Sequence, residues 1–270
     1  MRVDPELIET VRADGCDLAA GAGAEPMPAC HSGGEYAAAG SPTQGLLAGR
    51  LVIALVGLAF EARVAAGPDV LVVCHQKGRD LADLTRNAIK SGCRSMISFG
   101  IAGGLAPDLR PGDWIVASAI VGRQRIWPTD PAWSNTLLRA VPGSRYAPIL
   151  GVDAPVAEPA AKRRLYATSG AMAVDMESHV VAELADAHDL SFAAVRVVID
   201  PAYRPLPQAA LVGMRRDGST DLPAVIRELM IKPRQTLALL RLAADLFVAR
   251  STLSRVRQSL GPGFGYHGLQ

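Results

Sequence analysis

The sequence predicts an α/β protein with three layers, αβα, around a twisted, mostly parallel mixed sheet. The first observation is a set of short, continuous apolar runs rich in β-branched residues, which is typical of strands buried on both faces. These runs occupy residues 51–56, 70–75, 94–99, 114–121, 146–152 and 192–199. The second observation is that helical patterns separate most of the runs. This alternation indicates parallel strand pairs with helices on both faces of the sheet.

Start and stop signals place the helices. We expect helices to begin at Asp80, Asp130 and Asp221, because an aspartate carboxylate accepts hydrogen bonds from the first free backbone N–H groups. Gly170 is expected to end another helix, since glycine tolerates the left-handed conformation found there. That helix is predicted at residues 159–169, and the remaining helices at residues 58–63, 175–188 and 234–260.

A glycine-dense stretch, FGIAGGLAPDLRPGDWIVAS at residues 99–118, lies between the third and fourth predicted strands. We expect a turn at Gly100–Gly104, where the backbone comes close to a ligand or to another chain. The spacing matches neither the dinucleotide fingerprint nor a P-loop. Taken alone, the fragment fits a tight packing turn equally well.

The carboxyl ends of the strands bring together residues that are distant in the sequence. Ligands of such sheets bind beyond these ends. This rule predicts that Glu61, the Gly100–Gly104 turn, Glu177 and Asp200 are neighbours in space.

Composition and cysteine spacing exclude several classes. The net charge of +2 and the 5% aromatic content do not favour nucleic acid as a partner. The four cysteines form no C-x-x-C pair, so we expect reduced thiols, no metal site and a cytoplasmic protein. Residues 1–48, rich in Ala, Gly, Pro and Ser, are predicted to be a disordered extension, with an ordered arm as the alternative. Residues 49–270 are predicted to form a single domain.

Three motifs in order carry a family resemblance: the glycine-dense stretch, AVDMESHVVAELA at 173–185 and VRVVID at 195–200. Together they resemble the purine nucleoside phosphorylase and nucleosidase superfamily, which implies its nucleoside phosphorylase-like fold. The segment GVDAPVAEP at 151–159 is most similar to the hopanoid-associated phosphorylases. That branch resembles the methylthioadenosine/adenosylhomocysteine nucleosidases and is thought to remove adenine from adenosylhopane.

The resemblance implies a role for each matching residue. Asp200 would protonate the purine at N7 as general acid. Glu177 would accept hydrogen bonds from the ribose 2′ and 3′ hydroxyls and support the positive charge of the transition state. The substrate-binding set that it implies is Gly100, Ile101, Ala102, Gly103, Asp175, Met176 and Glu177. The structural alternatives are a strand-end turn for Asp200, a helix-start acid for Glu177 and a core side chain for Met176.

The sequence leaves the acceptor of the sugar open. Nucleosidases of the family hold the attacking water with a glutamate after the first strand, which implies this role for Glu61, although its local pattern is offset by about one residue. An exposed glutamate at a helix start is the alternative. The phosphate pattern G-D-P-x-R is absent, and Arg63 and Arg79 are the candidate phosphate ligands. Arg196, in a buried strand, is expected to pair with an acid, since an unpaired arginine there would be costly.

The last predicted helix mixes leucines with arginines. It is expected to cover the sheet and show its charges to water, and a peripheral contact with an anionic membrane is the alternative if the substrate is a lipid. The resemblance also implies a homo-oligomer without metal or organic cofactor. Two other functions stay open: methylthioadenosine or adenosylhomocysteine as substrate, and a nucleoside-binding module without turnover. A serine hydrolase is disfavoured because no G-x-S-x-G elbow occurs.

Overall fold

The computed structural model describes residues 52–74, 79–213 and 221–267. The strands are β1 (Val52–Val56), β2 (Val70–Cys74), β3 (Ser95–Gly104), β4 (Trp114–Val121), β5 (Ile126–Pro128), β6 (Arg145–Gly151), β7 (Ala173–Asp175) and β8 (Ser191–Asp200). The helices are α1 (Ala59–Ala65), α2 (Arg79–Lys90), α3 (Pro131–Ala140), α4 (Pro159–Ser169), α5 (Ser178–Ala187), α6 (Gln208–Val212), α7 (Leu222–Ile231) and α8 (Thr236–Leu260). Short 3-10 turns occupy Pro233–Gln235 and Pro262–Gly265. The expected extension at residues 1–48 lies outside the described residues, and its order stays a prediction.

All eight strands belong to one mixed sheet in the order β2-β1-β3-β7-β6-β4-β5, with β8 paired to both β3 and β4. The pairs β1–β2, β1–β3, β3–β8, β4–β6 and β6–β7 are parallel, and the pairs β3–β7, β4–β5 and β4–β8 are antiparallel. The predicted mostly parallel mixed sheet is therefore confirmed. The pairings also close a circuit, β3–β8–β4–β6–β7–β3, so half of the sheet curls back on itself.

Two of the three predicted aspartate caps are confirmed, whereas the predicted start at Asp80 is wrong, because α2 already includes Arg79. The Asp130 carboxylate accepts from the backbone nitrogens of Ala132 and Trp133, and Asp221 accepts from that of Ala224. Helix α4 has the predicted bounds and ends at Gly170, whose φ of 67° is left-handed. These ends are set by local chemistry, which explains why the sequence alone predicted them.

Side chains of the central strands alternate between two apolar cores. Ile53 and Leu55 of β1 pack with residues of α2 and α5 on one face. Val52, Ala54 and Val56 pack with residues of α1, α3 and α8 on the other. The period of two along a strand thus buries β1 on both faces, which gives the three-layer arrangement and fixes the strand ends that carry the candidate site.

The predicted turn at Gly100–Gly104 is wrong, because these residues form the second half of β3. Gly100 pairs with Arg196 of β8, and Gly103 and Gly104 pair with Val174 and Ala173 of β7. None of the three glycines has a left-handed φ. Glycine is needed here because side chains of the candidate site approach this part of β3 closely.

Candidate active site

Glu61 lies in the first turn of α1 and is buried, with 2% of its surface exposed. Its Oε2 accepts from the backbone nitrogens of Gly57 at 2.9 Å and Leu58 at 2.8 Å. Its Oε1 accepts from the backbone nitrogen of Ile101 at 2.7 Å. The exposed helix-start alternative is therefore wrong. Since a carboxylate oxygen has two acceptor sites, Oε1 keeps room for one further donor.

Arg196 of β8 is fully buried at the centre of a polar network. Its Nε donates to Asp175 Oδ2, and its Nη2 donates to Ser98 Oγ at 2.6 Å and to Ser178 Oγ at 3.2 Å. The expected pairing of Arg196 with an acid is thus confirmed. Its Nη1 has no hydrogen-bond partner among the described residues. A buried guanidinium nitrogen without a partner is costly, so Nη1 is a donor available to a bound molecule.

The side chains of Glu61 and Arg196 both lie next to Gly100. A Cβ built on Gly100 would lie 2.7 Å from Arg196 Nη1 and would overlap Glu61 Oε1. Only a glycine leaves room for both groups. An unpaired donor and an acceptor with spare capacity therefore meet above the backbone of β3.

Glu177 precedes α5 and lies against the end of β1. A Cβ on Gly57 would lie 2.6 Å from Glu177 Oε1, so this glycine also exists for close approach. Glu177 Oε2 is 3.7 Å from Arg196 Nη2. The site thus contains two carboxylates, Glu61 and Glu177, on either side of one guanidinium.

The environment raises the pKa of both carboxyl groups. Burial raises the pKa of Glu61, while Arg196 and the three backbone N–H groups act in the opposite direction. Burial, together with the charges of Asp175 and Glu61, raises the pKa of Glu177 to about 7 against the opposing effect of Arg196. A carboxyl group that titrates near neutrality in a cluster of this kind is a common feature of active sites.

Asp200, at the end of β8, forms the second part of the candidate site. It pairs in register with Gly103, and a Cβ on Gly103 would lie 3.2 Å from Asp200 Oδ1. Its Oδ2 accepts from Lys162 Nζ of α4, a lysine that is fully buried. Gly100 and Gly103 are three residues apart on β3, so the two parts are separated by about 10 Å along the strand.

The other predicted site residues lie in different surroundings. Met176 packs beside a third apolar cluster around α4, and Asp175 belongs to the Arg196 network. Ala102 is 4% exposed within the core, which leaves only its backbone for a ligand. Arg63 is exposed on α1, and the side chain of Arg79 lies outside the described residues. The structure thus brings Glu61, Arg196, Glu177 and Asp175 together, with Asp200 at the end of β8 beside Gly103, but not Arg63.

Sequence reasoning missed Lys162 and the structural roles of Ser98 and Ser178. A signal for Lys162 existed, because Lys162, Leu165 and Ser169 are the buried residues of α4 and share one helical face. A lysine on an apolar stripe indicates a buried partner. The two serines carry no such signal, since both are common in loops and at helix starts.

The family profile, together with the fold, defines an N-glycosyl bond cleaving enzyme of the nucleoside phosphorylase and nucleosidase class. The chain belongs to the phosphorylase superfamily, whose sequence profile matches residues 57–230. No curated protein matches the sequence.

Solved structures share the fold. The 5′-methylthioadenosine/S-adenosylhomocysteine nucleosidase of Helicobacter pylori, in a mutant form with 5′-methylthioadenosine in its active site, superposes with a TM-score of 0.53 at 14% identity, covering 77% of this chain and 98% of that one. A putative nucleosidase of the same kind from Francisella philomiragia gives 0.52 at 15% identity, covering 78% and 96%. The Campylobacter jejuni nucleosidase gives 0.50 at 16%, covering 76% and 99%. At such identities the likeness establishes the fold.

Proposed function

We propose that the enzyme hydrolyses the N-glycosidic bond of an adenine nucleoside that carries an apolar 5′ substituent, with adenosylhopane as the expected substrate and hopanoid biosynthesis as the setting. The observation that carries the proposal is that Arg196 Nη1, which has no partner among the described residues, and Glu61 Oε1 both lie next to Gly100. A water molecule fits this pair, because it accepts one hydrogen bond from the guanidinium and donates one to the carboxylate.

In the proposed reaction, Glu61 takes a proton from that water while the water oxygen bonds to C1′ of the ribose. Burial makes Glu61 more basic than an ordinary glutamate, which suits this role. The C1′–N9 bond breaks, its electron pair leaves with adenine, and Asp200 supplies a proton to N7. Glu177 accepts hydrogen bonds from the ribose hydroxyls and stabilises the positive charge that develops on the sugar.

The charge of the cluster favours water over phosphate as acceptor. Three carboxyl groups, Glu61, Asp175 and Glu177, surround one guanidinium. A phosphate dianion would add negative charge to this group at close range, which is unfavourable in a buried setting. Arg63, the described candidate for a phosphate ligand, is exposed on α1.

An apolar surface next to the Asp200 end supports the proposal of a lipid-like substrate. Arg204, in the turn after Asp200, pairs with Asp245 of α8 at 2.5 Å. Exposed large apolar side chains cluster on α7 and the first half of α8: Leu222, Ile226, Met230, Ile231, Leu237, Leu240, Phe247 and Val248. We call this group the α7–α8 surface. Exposed apolar side chains grouped in this way are typical of an interaction site.

We further propose that the α7–α8 surface rests on an anionic membrane. Both acidic residues of the segment are paired, Glu228 with Lys232 and Asp245 with Arg204. Its other basic residues are Arg227, Arg234, Arg241 and Arg250. Apolar side chains beside excess positive charge match the interface of an anionic bilayer. Within the described ranges, no helix combines the length and apolar character that crossing a bilayer requires. The family resemblance supports a homo-oligomer as the working form.

The test is adenine release by the purified protein. Adenosine analogues with small and with large apolar 5′ groups are supplied with and without phosphate, beside an Asp200→Asn control. We expect phosphate-independent release that is fastest with large apolar groups. Release that requires phosphate and yields a sugar 1-phosphate would contradict hydrolysis. A preference for methylthioadenosine or adenosylhomocysteine would contradict the substrate class, and tight binding without release would indicate a binding module.

A further inference from the structure

Lys162 is a fully buried cation whose three protons all have acceptors. Its Nζ donates to Asp200 Oδ2, to the carbonyl oxygen of Pro201 at 3.2 Å and to that of Arg204 at 3.3 Å. An ammonium group has three donors, so this one is saturated. Its geometry is therefore fixed, and with it the position of Oδ2.

A buried lysine is an unusual choice if stability alone is considered. Removing a charge from water costs several kcal/mol, and an apolar residue of similar size commonly stabilises a core as well or better. Lys162 occupies the inner face of α4 beside Leu165, where an apolar side chain would fit the pattern. A lysine at this position therefore indicates a role in the chemistry of its partner, Asp200.

The two carboxyl oxygens of Asp200 differ in their contact with Lys162. Both oxygens lie beside Gly103, where a Cβ would be 3.2 Å from Oδ1 and 3.5 Å from Oδ2, but Lys162 holds Oδ2. The charged side chains that act on Asp200 are Lys162 from α4 and Arg204 from the turn after β8. Neighbouring β3 and β7 present Gly103 and Val174, which carry no charge. One oxygen is thus anchored by a cation, and the other lies beside the uncharged Gly103 and Val174 without that anchor.

We propose that Lys162 is a positioning residue for Asp200 that fixes one carboxyl oxygen, points the other at the purine and stabilises the carboxylate left after proton donation. This inference rests on the proposed function of Asp200 as general acid. The proton passes from the Asp200 carboxyl group to N7, and the electron pair of the C1′–N9 bond leaves with adenine. The resulting aspartate remains paired with the Lys162 ammonium, so no further co-reactant is needed.

The electrostatics agree with this role. Burial raises the pKa of Asp200 above its ordinary value, and Lys162 acts in the opposite direction. Without Lys162 the pKa would rise further. Asp200 works in its protonated form, which is present below its pKa. Loss of Lys162 should therefore move the alkaline limb of the rate profile to higher pH, while the weaker acid lowers the plateau.

The test compares Lys162→Met, Lys162→Arg, Asp200→Asn and the Lys162→Met/Asp200→Asn double variant. We expect Lys162→Met to lower kcat by about 100-fold with little change in KM. Its alkaline limb should move up by about one to three pH units. Lys162→Arg keeps the positive charge, so the alkaline limb of its pH–rate profile should stay in place, although kcat should fall. On the Asp200→Asn background, Lys162→Met should lower kcat no further.

Lys232→Met is the matched control, because it removes a lysine from the exposed pair with Glu228.

Two results would overturn the proposal. In the first, Lys162→Met lowers kcat but leaves the alkaline limb of the pH–rate profile in place. In the second, Lys162→Met lowers kcat as much on the Asp200→Asn background as it does in the wild type. A second readout is independent of turnover. The carbonyl stretch of protonated Asp200 is isolated by infrared difference against Asp200→Asn and followed across pH. We expect it to persist to higher pH in Lys162→Met, and an unchanged titration would overturn the proposal. Absence of nucleoside cleavage together with a shifted titration would count against the proposed function alone.

Discussion

The Glu61 carboxylate accepts a 2.7 Å hydrogen bond from the backbone nitrogen of Ile101, forty residues further along the chain. This bond joins the first turn of α1 to the second half of β3. It also holds Oε1 beside Gly100, where Arg196 Nη1 arrives from β8. The position of the Glu61 carboxylate is therefore set by β3, which follows α1 in the chain after one strand and one helix.

Gly100→Ala should abolish most activity. The new Cβ would lie 2.7 Å from Arg196 Nη1 and overlap Glu61 Oε1, which displaces the groups proposed to hold the water. We expect kcat/KM to fall at least about 100-fold, since small displacements at a reacting centre have effects of this size. Steady-state kinetics with thermal unfolding as a folding control would measure it. Activity within a few-fold of wild type would show that no reactant binds next to Gly100.

Arg196→Met should destabilise the fold strongly. It leaves Asp175 buried without its ion-pair partner, and the loss of one member of a buried pair costs about 3–5 kcal/mol. Arg125→Met is the matched control, because Arg125 pairs with Asp186 at 2.6 Å on the surface. This control should cost about 0–1 kcal/mol. Urea unfolding of both variants measures the difference, and equal losses would contradict a special role of the Arg196 network.

Glu177 should make stability and activity respond to pH in opposite directions. Its pKa is raised from 4.5 to about 7, so between these values the folded state binds more protons than the unfolded state. The contribution of Glu177 to the free energy of unfolding is therefore present below about pH 4.5 and is lost as pH rises towards 7. Its ionised form, which accepts from the ribose hydroxyls, grows over the same range.

Denaturation curves and kcat/KM from pH 5 to 8 test this prediction, with Glu177→Gln as the comparison. The amide does not titrate, so the variant should lose both the falling stability and the rising activity limb. Persistence of both trends in Glu177→Gln would assign them to other groups.

Negative charge introduced on the α7–α8 surface should prevent membrane binding. The triple variant Leu237→Glu/Leu240→Glu/Phe247→Glu replaces side chains that are each more than half exposed, so the fold should tolerate it. We expect wild type to co-sediment with anionic vesicles and the triple variant to stay in solution. Neutral vesicles should bind wild type weakly.

Ile126→Ser serves as the control for this experiment, because Ile126 is an exposed apolar residue of β5 outside the α7–α8 surface. It should bind vesicles like wild type. If wild type ignores anionic vesicles and the triple variant instead changes its oligomeric state, the surface contacts a second copy of the chain.

Much of the fold could be predicted because its signals are local. The cap at Asp130 and the stop at Gly170 each depend on residues within one helical turn. The buried strands were visible as apolar runs, since a strand covered on both faces needs no polar residue. The glycines of β3 were misassigned to a turn because glycine marks both turns and close approaches, and sequence alone does not separate the two.

Strand periodicity and motif order are properties of a linear chain, so the amino-acid sequence was enough to predict the α/β architecture, the superfamily and the acids most worth testing. Tertiary structure alone decided that Glu61 is buried, that Arg196 keeps one nitrogen without a partner among the described residues and that Lys162 anchors Asp200. These features depend on contacts between elements tens of residues apart. Burial and the proximity of charges arise only when the strands meet, and so do the raised pKa values on which the proposed chemistry depends.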